Sequence, residues 1–294
     1  DTPHYHIVHN LRLPRALIAV VVGAMLGLSG AILQSITRNP LASPSLTGVL
    51  SGGVLAVVLW MAFGPTGADS WGADVPLVAI GGGLGAGLLV YALSWHHGTD
   101  PVRLTLAGVL VAAMLSAFSS LALLWDQENM GNILIWMIGS LNGRVWAHWN
   151  TLLPVAVLAL PLGLATAAVA NVLNLGDDVA AGLGLRVEPA RAALLAVAVI
   201  LGAGAVSVVG NITFVGLIAP HIARRLVGGD ARRLFPFSAV LAAGLLVLAD
   251  ILARTLTVQL ATDSLAGSGN VPTGAVTALL GALFFFYLLL RKSA

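Results

Sequence analysis

The sequence predicts an all-α fold, a polytopic membrane helix bundle with nine spans in this chain, and three observations carry that expectation. Hydrophobic residues make up 58% of the 294-residue chain and charged residues only 9%, whereas a water-soluble domain is about one quarter charged. Mean hydropathy is +0.96. Stretches without Asp, Glu, Lys or Arg recur at 16–37, 39–68, 75–99, 104–125, 145–176, 192–223, 234–249 and 264–290; a helix needs about 20 apolar residues to cross a hydrocarbon core of about 30 Å.

The spans are expected at about 16–35, 49–63, 76–94, 104–125, 149–173, 192–209, 220–227, 236–256 and 274–290. The first opens after Arg12-Leu13-Pro14-Arg15 and stops at Arg38-Asn39-Pro40-Leu41-Ala42-Ser43-Pro44, whose prolines forbid continuing the helix and bias Asn39 and Ser43 to extended backbone. That stretch reads as a cytoplasmic turn or as irregular backbone lining a wet cavity, the one setting besides burial in protein in which such backbone survives near membrane depth. The third span holds Gly81-Gly82-Gly83-Leu84-Gly85-Ala86-Gly87. A G-x-G-x-x-A pattern in a soluble βαβ unit suggests a dinucleotide site, but inside an apolar span small residues four apart let helices approach closely. Gly81/Gly85, Gly83/Gly87 and Gly23/Gly27 are therefore read as packing positions. The seventh span is too short to cross alone; it is expected to start at Pro220, a favoured first helical position, and to end at Gly228-Gly229. The eighth carries Asp250 and Arg254 at its outer end, four apart and so on one side of a helix.

Cations set the orientation, because short cytoplasmic loops are enriched in Lys and Arg. With the N-terminus outside, ten of the 14 cations are inside: Arg38, Arg103, Arg186, Arg191, Arg224, Arg225, Arg232, Arg233, Arg291 and Lys292. The outer four, Arg12, Arg15, Arg144 and Arg254, run against the rule and call for a separate reason. An odd span count and an outside start, in a chain that begins at Asp1 without a signal-peptide pattern, suggest that a further helix precedes it.

Several classes of chemistry are set aside. The chain has no cysteine, so disulfides and thiolate metal sites are excluded. No G-x-x-x-x-G-K-[ST] occurs, so the chain cannot hold ATP through a P-loop, and no basic patch interleaved with aromatics suggests nucleic acid. His4, His6 and His9 lack acidic co-ligands and a fixed spacing for metal, and His96-His97 reads as interfacial. No catalytic residue, metal site or cofactor is expected in this chain.

Two segments suggest docking. Asn174 to Arg186 reads as a short helix opened by Asp177 and Asp178 and closed by Gly182 and Gly184, either a solvated connector or an element that fits a groove on a cytosolic partner. At the outer end, Arg254 either neutralises Asp250 or joins Arg12 and Arg15 in a cluster suited to carboxylate recognition.

Seven segments in order resemble the FecCD-type permease subunits of ABC importers for ferric siderophores, haem and cobalamin: Arg12–Arg15; Ser29-Gly30-Ala31 through Gln34; Arg38–Pro44; Trp136-Met137-Ile138-Gly139-Ser140-Leu141; Leu175-Gly176-Asp177; Phe214-Val215-Gly216-Leu217-Ile218-Ala219-Pro220-His221; and Ala249–Arg254. The resemblance covers essentially the whole chain and implies one transmembrane permease domain, 1–294. It implies ten helices with both termini cytoplasmic, of which this chain would lack the first. It implies that Arg12, Arg15 and Arg254 dock a periplasmic substrate-binding protein. Within the cytoplasmic loop 174–191, Leu175, Gly176, Asp177, Asp178, Gly182, Gly184 and Arg186 would couple to two ABC ATPase subunits that bind ATP and Mg. Gln34, Arg38, Asn39, Pro40 and Ser43 would lie along the translocation pathway, formed with a second permease subunit, identical or similar.

Two departures stand out: Asn270-Val271-Pro272-Thr273-Gly274 where the family usually has Glu-Leu-Pro-x-Gly, and Gly281-Ala282-Leu283 where it usually has Gly-Ala-Pro. The expected function is ATP-driven import of a metal chelate, a ferric siderophore first and haem or cobalamin as alternatives, across the inner (plasma) membrane with the C-terminus cytoplasmic. Two other readings are an ion-coupled secondary transporter, which needs intramembrane carboxylates where the chain offers Asp250, and a purely structural bundle.

Overall fold

A computed structural model describes residues 3–63, 74–95, 101–125, 130–262 and 270–292. Among them every regular element is a helix: α1 Pro3–His6, a π-helical turn Ile7–Arg12, α2 Leu13–Thr37, α3 Val49–Phe63, α4 Asp74–Ser94, α5 Pro101–Trp125, α6 Met130–Ile138, α7 Trp146–Ala165, α8 Ala167–Asn174, α9 Asp177–Gly182, α10 Val187–Val209, α11 Val215–Val227, α12 Ala231–Thr262 and α13 Thr273–Lys292.

The all-α fold is thus observed and its long apolar helices fit a polytopic membrane bundle, but the nine-span count is not confirmed. Six described helices are long and apolar enough to cross, Ile7–Thr37, Asp74–Ser94, Pro101–Leu124, Trp146–Ala165, Val187–Val209 and Ala231–Gln259, and two shorter apolar helices cover Val49–Phe63 and Thr273–Leu288. The expected span 149–173 breaks at Thr166, whose hydroxyl donates to the carbonyl of Gly163 at 2.6 Å, so α8 is a separate helix. The expected start at Pro220 is also corrected. Helix α11 begins at Val215 and takes Pro220 into its interior. The proline leaves the carbonyl of Gly216 without its helical donor, and that carbonyl lies against Gly30 of α2, where any side chain would collide with it.

Helix α2 is the hub. It packs on α12, α10, α11 and α7 and is buried at every residue from Leu26 to Thr37, as expected of a helix apolar on all sides. Close approach needs missing side chains. A Cβ on Gly23 would come within 2.6 Å of the Ala243 backbone, and one on Gly27 within 2.5 Å of the Ser238 carbonyl. Gly83 and Gly87 serve likewise in α4, against Ala203 and Val199 of α10. Gly81 and Gly85 do not: nothing lies near them, because the face of α4 turned to α3 and α10 carries 82, 83, 86 and 87, leaving 81 and 85 exposed.

Three breaks in the helices are stitched together by backbone hydrogen bonds. Ser140 N–H donates to Val209 O at 2.8 Å, Asn211 N–H to Trp136 O at 3.1 Å and Gly274 N–H to Gly139 O at 2.9 Å. Irregular backbone within a membrane protein persists where protein satisfies it in this way. Gly139 makes the junction possible, with φ +84° and no room for a Cβ against Asn211.

Candidate translocation cavity and its flanking arginine clusters

A cavity of about 500 Å³ opens beside the hub, lined by the turn after α2 (Leu41, Ser43, Ser45, Leu46), by Ser51 of α3, by Val109 to Ser116 on α5, by Asn211 and Thr213 at the α10–α11 break, and by Phe214, Leu217 and Phe285. Among the described residues no ionisable side chain lines it. Its four serine hydroxyls are paired with each other, Ser43 with Ser45 at 2.9 Å and Ser51 with Ser116 at 3.1 Å, so the wall is weakly polar. Such a surface accommodates a bulky solute without binding it as a charged site would.

Phe214 shapes one wall. It caps the start of α11 at φ 67°, a conformation uncommon for a bulky residue. Its ring lies on Gly281 of α13 so closely that a Cβ there would strike it, and it meets Phe285 edge to face at 6.0 Å. Leu283, the departure from Gly-Ala-Pro, is exposed on the same helix, which runs unbroken from Thr273 to Lys292.

Of the five residues expected along the pathway, Ser43 lines the cavity. Gln34 stands behind it, fully buried, donating to the carbonyl of Leu217 at 3.4 Å. Asn39 accepts from Leu41 N–H at 2.9 Å within the turn, Pro40 is exposed, and Arg38 points away, toward the loop 174–191. Ser45, Ser51, Ser116, Asn211, Thr213 and Phe285 were not among the expected residues; isolated serines on separate helices carry no local signal that they will meet.

The cluster at the end expected to face the cytoplasm, the inner cluster, joins three elements. Arg38 ends α2 in the left-handed region at φ 49°; its guanidinium donates to the carbonyl of Leu173 at 3.0 Å and to the Asp177 carboxylate. Asp177 also accepts from Arg191 of α10 at 2.7 Å. Burial alone would raise the Asp177 carboxyl, but hydrogen bonds and charge from Arg191 and then Arg38 outweigh it and hold the group below its ordinary value. Helix α9 follows at once, as expected, with Gly176 at φ 112° before it and Gly184 at φ 84° after it. Ala180 anchors α9 inward while Leu175, Val179 and Leu183 form an exposed apolar row four residues apart. Asp178, Gly182, Gly184 and Arg186 are exposed beside that row, Gly176 and Asp177 partly so.

The cluster at the end expected to face outward, the outer cluster, is built on Asp250. Its carboxylate accepts Arg15 through Nε at 3.0 Å and Nη2 at 2.7 Å, Arg254 through Nε at 3.0 Å, and the buried hydroxyl of Thr273 at 3.0 Å. The remaining Arg15 nitrogen, Nη1, donates to Asn142 at 3.0 Å. The starts of α2 and α13 are thereby tied to the body of α12. Of the three expected docking arginines, Arg12 is exposed, Arg254 is part exposed and Arg15 is largely enclosed. Asn270 lines a shallow outer pocket with Arg15 and Arg254, where the family's usual glutamate would place a charge. Arg144, the fourth outer cation, is buried over the Trp136 ring at 5.6 Å. His9 lies tilted against Trp146, whose indole donates to the His9 carbonyl at 3.0 Å; His6 is exposed, and the His4 side chain and His96-His97 lie outside the described residues.

The model of the FecCD transport family matches residues 1–291. The Fe(3+) dicitrate transport system permease protein FecC of Escherichia coli (strain K12) is 38% identical over 97% of this chain and 83% of its own length. The hemin transport system permease protein HmuU of Yersinia pestis is 39% identical over 98% of this chain and 84% of its own. Among solved structures, a metal-chelate type ABC transporter in an inward-facing conformation superposes with a TM-score of 0.87 at 31% identity, covering 99% of this chain and 89% of the other.

Proposed function

The chain belongs to the FecCD transport family, and from that premise we propose that it is the inner-membrane permease subunit of an ATP-driven importer whose cargo is a metal chelate, a ferric siderophore first. The cavity carries this reading: roomy, weakly polar and, among the described residues, lined by no ionisable side chain, it lies in a bundle with Arg12 exposed and Arg254 part exposed at one end and the apolar row Leu175, Val179 and Leu183 at the other. A chelate already wraps its metal, so the wall need supply no ligands.

In the proposed cycle a periplasmic binding protein presents carboxylates to Arg12 and Arg254, for which a guanidinium is well shaped. Two cytosolic ATPases receive α9 through Leu175, Val179 and Leu183, an arrangement of the helix-in-groove kind. A second permease subunit completes the pathway. ATP binding and hydrolysis belong to the ATPases, the chain itself is non-catalytic, and its C-terminus is cytoplasmic. Relatives are named for the transport of ferric citrate, iron hydroxamate, enterobactin and hemin, so haem is the second cargo class. The ion-coupled alternative gains no support, since Asp250 is already engaged by two arginines and a threonine.

Co-expression with the ATPase encoded in the same genome tests the assembly. The expected result is a purified complex whose hydrolysis rises several-fold when the binding protein loaded with a ferric chelate is added; a chain that associates with no ABC ATPase would refute the proposal.

A further inference from the structure

We propose that Arg38 is the positioning residue that links coupling helix α9 to the cavity wall, so that movement of α9 repositions Ser43 to Leu46. This rests on the permease reading above.

Arg38 grips both sides of one bend. Its guanidinium bonds the Leu173 carbonyl at the end of α8 and the Asp177 carboxylate at the start of α9, and between them lies Gly176 at φ 112°. Turning α9 about Gly176 must therefore pull on Arg38. On the α9 side the carboxylate has a second arginine: Asp177 also accepts from Arg191 of α10, whose side chain is 2% exposed. A buried guanidinium does not readily give up its carboxylate.

On the other side, Arg38 leads straight into a stiff turn. Ala42 N–H donates to Asn39 O at 3.1 Å, Leu46 and Thr47 N–H donate to Ser43 O at 3.1 and 3.2 Å, and the Thr47 hydroxyl donates to Pro44 O at 3.0 Å. Two prolines further restrict it. A turn braced in this way moves as a body, and Leu41, Ser43, Ser45 and Leu46 are the part of it that lines the cavity. The α2 hub, buried throughout its inner half, cannot follow; displacement is confined to the residues after Arg38, whose left-handed φ of 49° already breaks the helix there.

The chain has no cysteine, so Ser45→Cys supplies a single thiol on the cavity wall. In the full complex with its ATPase in nanodiscs, maleimide labelling of this thiol is measured on the isolated permease band, without nucleotide and with ATP plus vanadate. The two rates are expected to differ at least fivefold. Adding Arg38→Gln should bring the ratio within twofold, and Arg38→Lys should recover part of it. Arg38→Gln leaves the Asp177–Arg191 pair intact, and co-purification with the ATPase at unchanged yield reports that the fold and the docking surface survive. A ratio that persists in Arg38→Gln, or that is near one before the substitution, overturns the proposal. Failure of the unsubstituted chain to assemble with the ATPase overturns the permease reading and this inference with it.

Discussion

The two ends of the molecule carry the same chemical device with its burial inverted. At the outer end one carboxylate takes two arginines and the carboxylate is the enclosed partner, Asp250 being 5% exposed. At the inner end one carboxylate again takes two arginines, but Asp177 is 44% exposed and the enclosed partner is Arg191, 2% exposed. The enclosed group shows which element is fixed. Outside, Asp250 on the long helix α12 gathers side chains from α2 and α13, making a brace. Inside, Arg191 on α10 holds a short helix by its first residue, and the exposed Arg38 forms the second arm. A brace resists movement, whereas an anchored arm with one exposed contact conveys it.

The largest effect expected from this contrast is at Asp250. Asp250→Asn removes the charge shared by Arg15 and Arg254, and breaking such a buried pair from one side costs about 3–5 kcal/mol. A fall in the thermal unfolding midpoint in detergent, well beyond that of Asp177→Asn, is the expected reading. Asp177→Asn should cost less, about 1–3 kcal/mol, because the carboxylate is half in solvent and Glu188 remains 3.6 Å from Arg191. Equal losses at the two sites would erase the distinction.

The outer arginines divide next. Arg254→Glu and Arg12→Glu should each weaken association with the loaded binding protein about tenfold, a change of about 1.4 kcal/mol. Arg15→Gln should lower the unfolding midpoint with less effect on affinity, since all its polar contacts are internal. Surface interferometry on nanodisc-held complexes separates the two outcomes.

The smallest effect is that of pH on the inner cluster. Asp177 is held below its ordinary value of 3.8, so its contribution to stability is fully present above that value and is lost as pH falls through the lower folded value. Between pH 5 and 8 the labelling ratio at Ser45→Cys should therefore be flat. A step in that window would place a different titrating group at the link.

Local signals in the sequence reached some of these features and missed others. Apolar length placed α2, α4, α5, α10 and α12, because a bilayer demands it; Pro40 and the acidic start at Asp177 placed a stop and a short helix. The Asp250–Arg254 contact follows from a spacing of four. Arg15 on Asp250 does not, since it joins positions 235 apart, and nothing near Arg38 discloses that it turns from the cavity to the start of α9. Pro220 misled because a proline is tolerated inside α11 once Gly30 receives the freed carbonyl. Gly81 and Gly85 share the spacing of Gly83 and Gly87 but fall on the other face, which periodicity alone cannot orient.

The most direct test is uptake of radiolabelled iron chelate by proteoliposomes holding the complete complex. With binding protein outside and ATP inside, uptake of at least one of ferric citrate, a ferric hydroxamate or hemin is expected, and it should cease when ATP is replaced by a non-hydrolysable analogue. Uptake by the permease alone under a proton or sodium gradient, indifferent to ATP, would contradict the account.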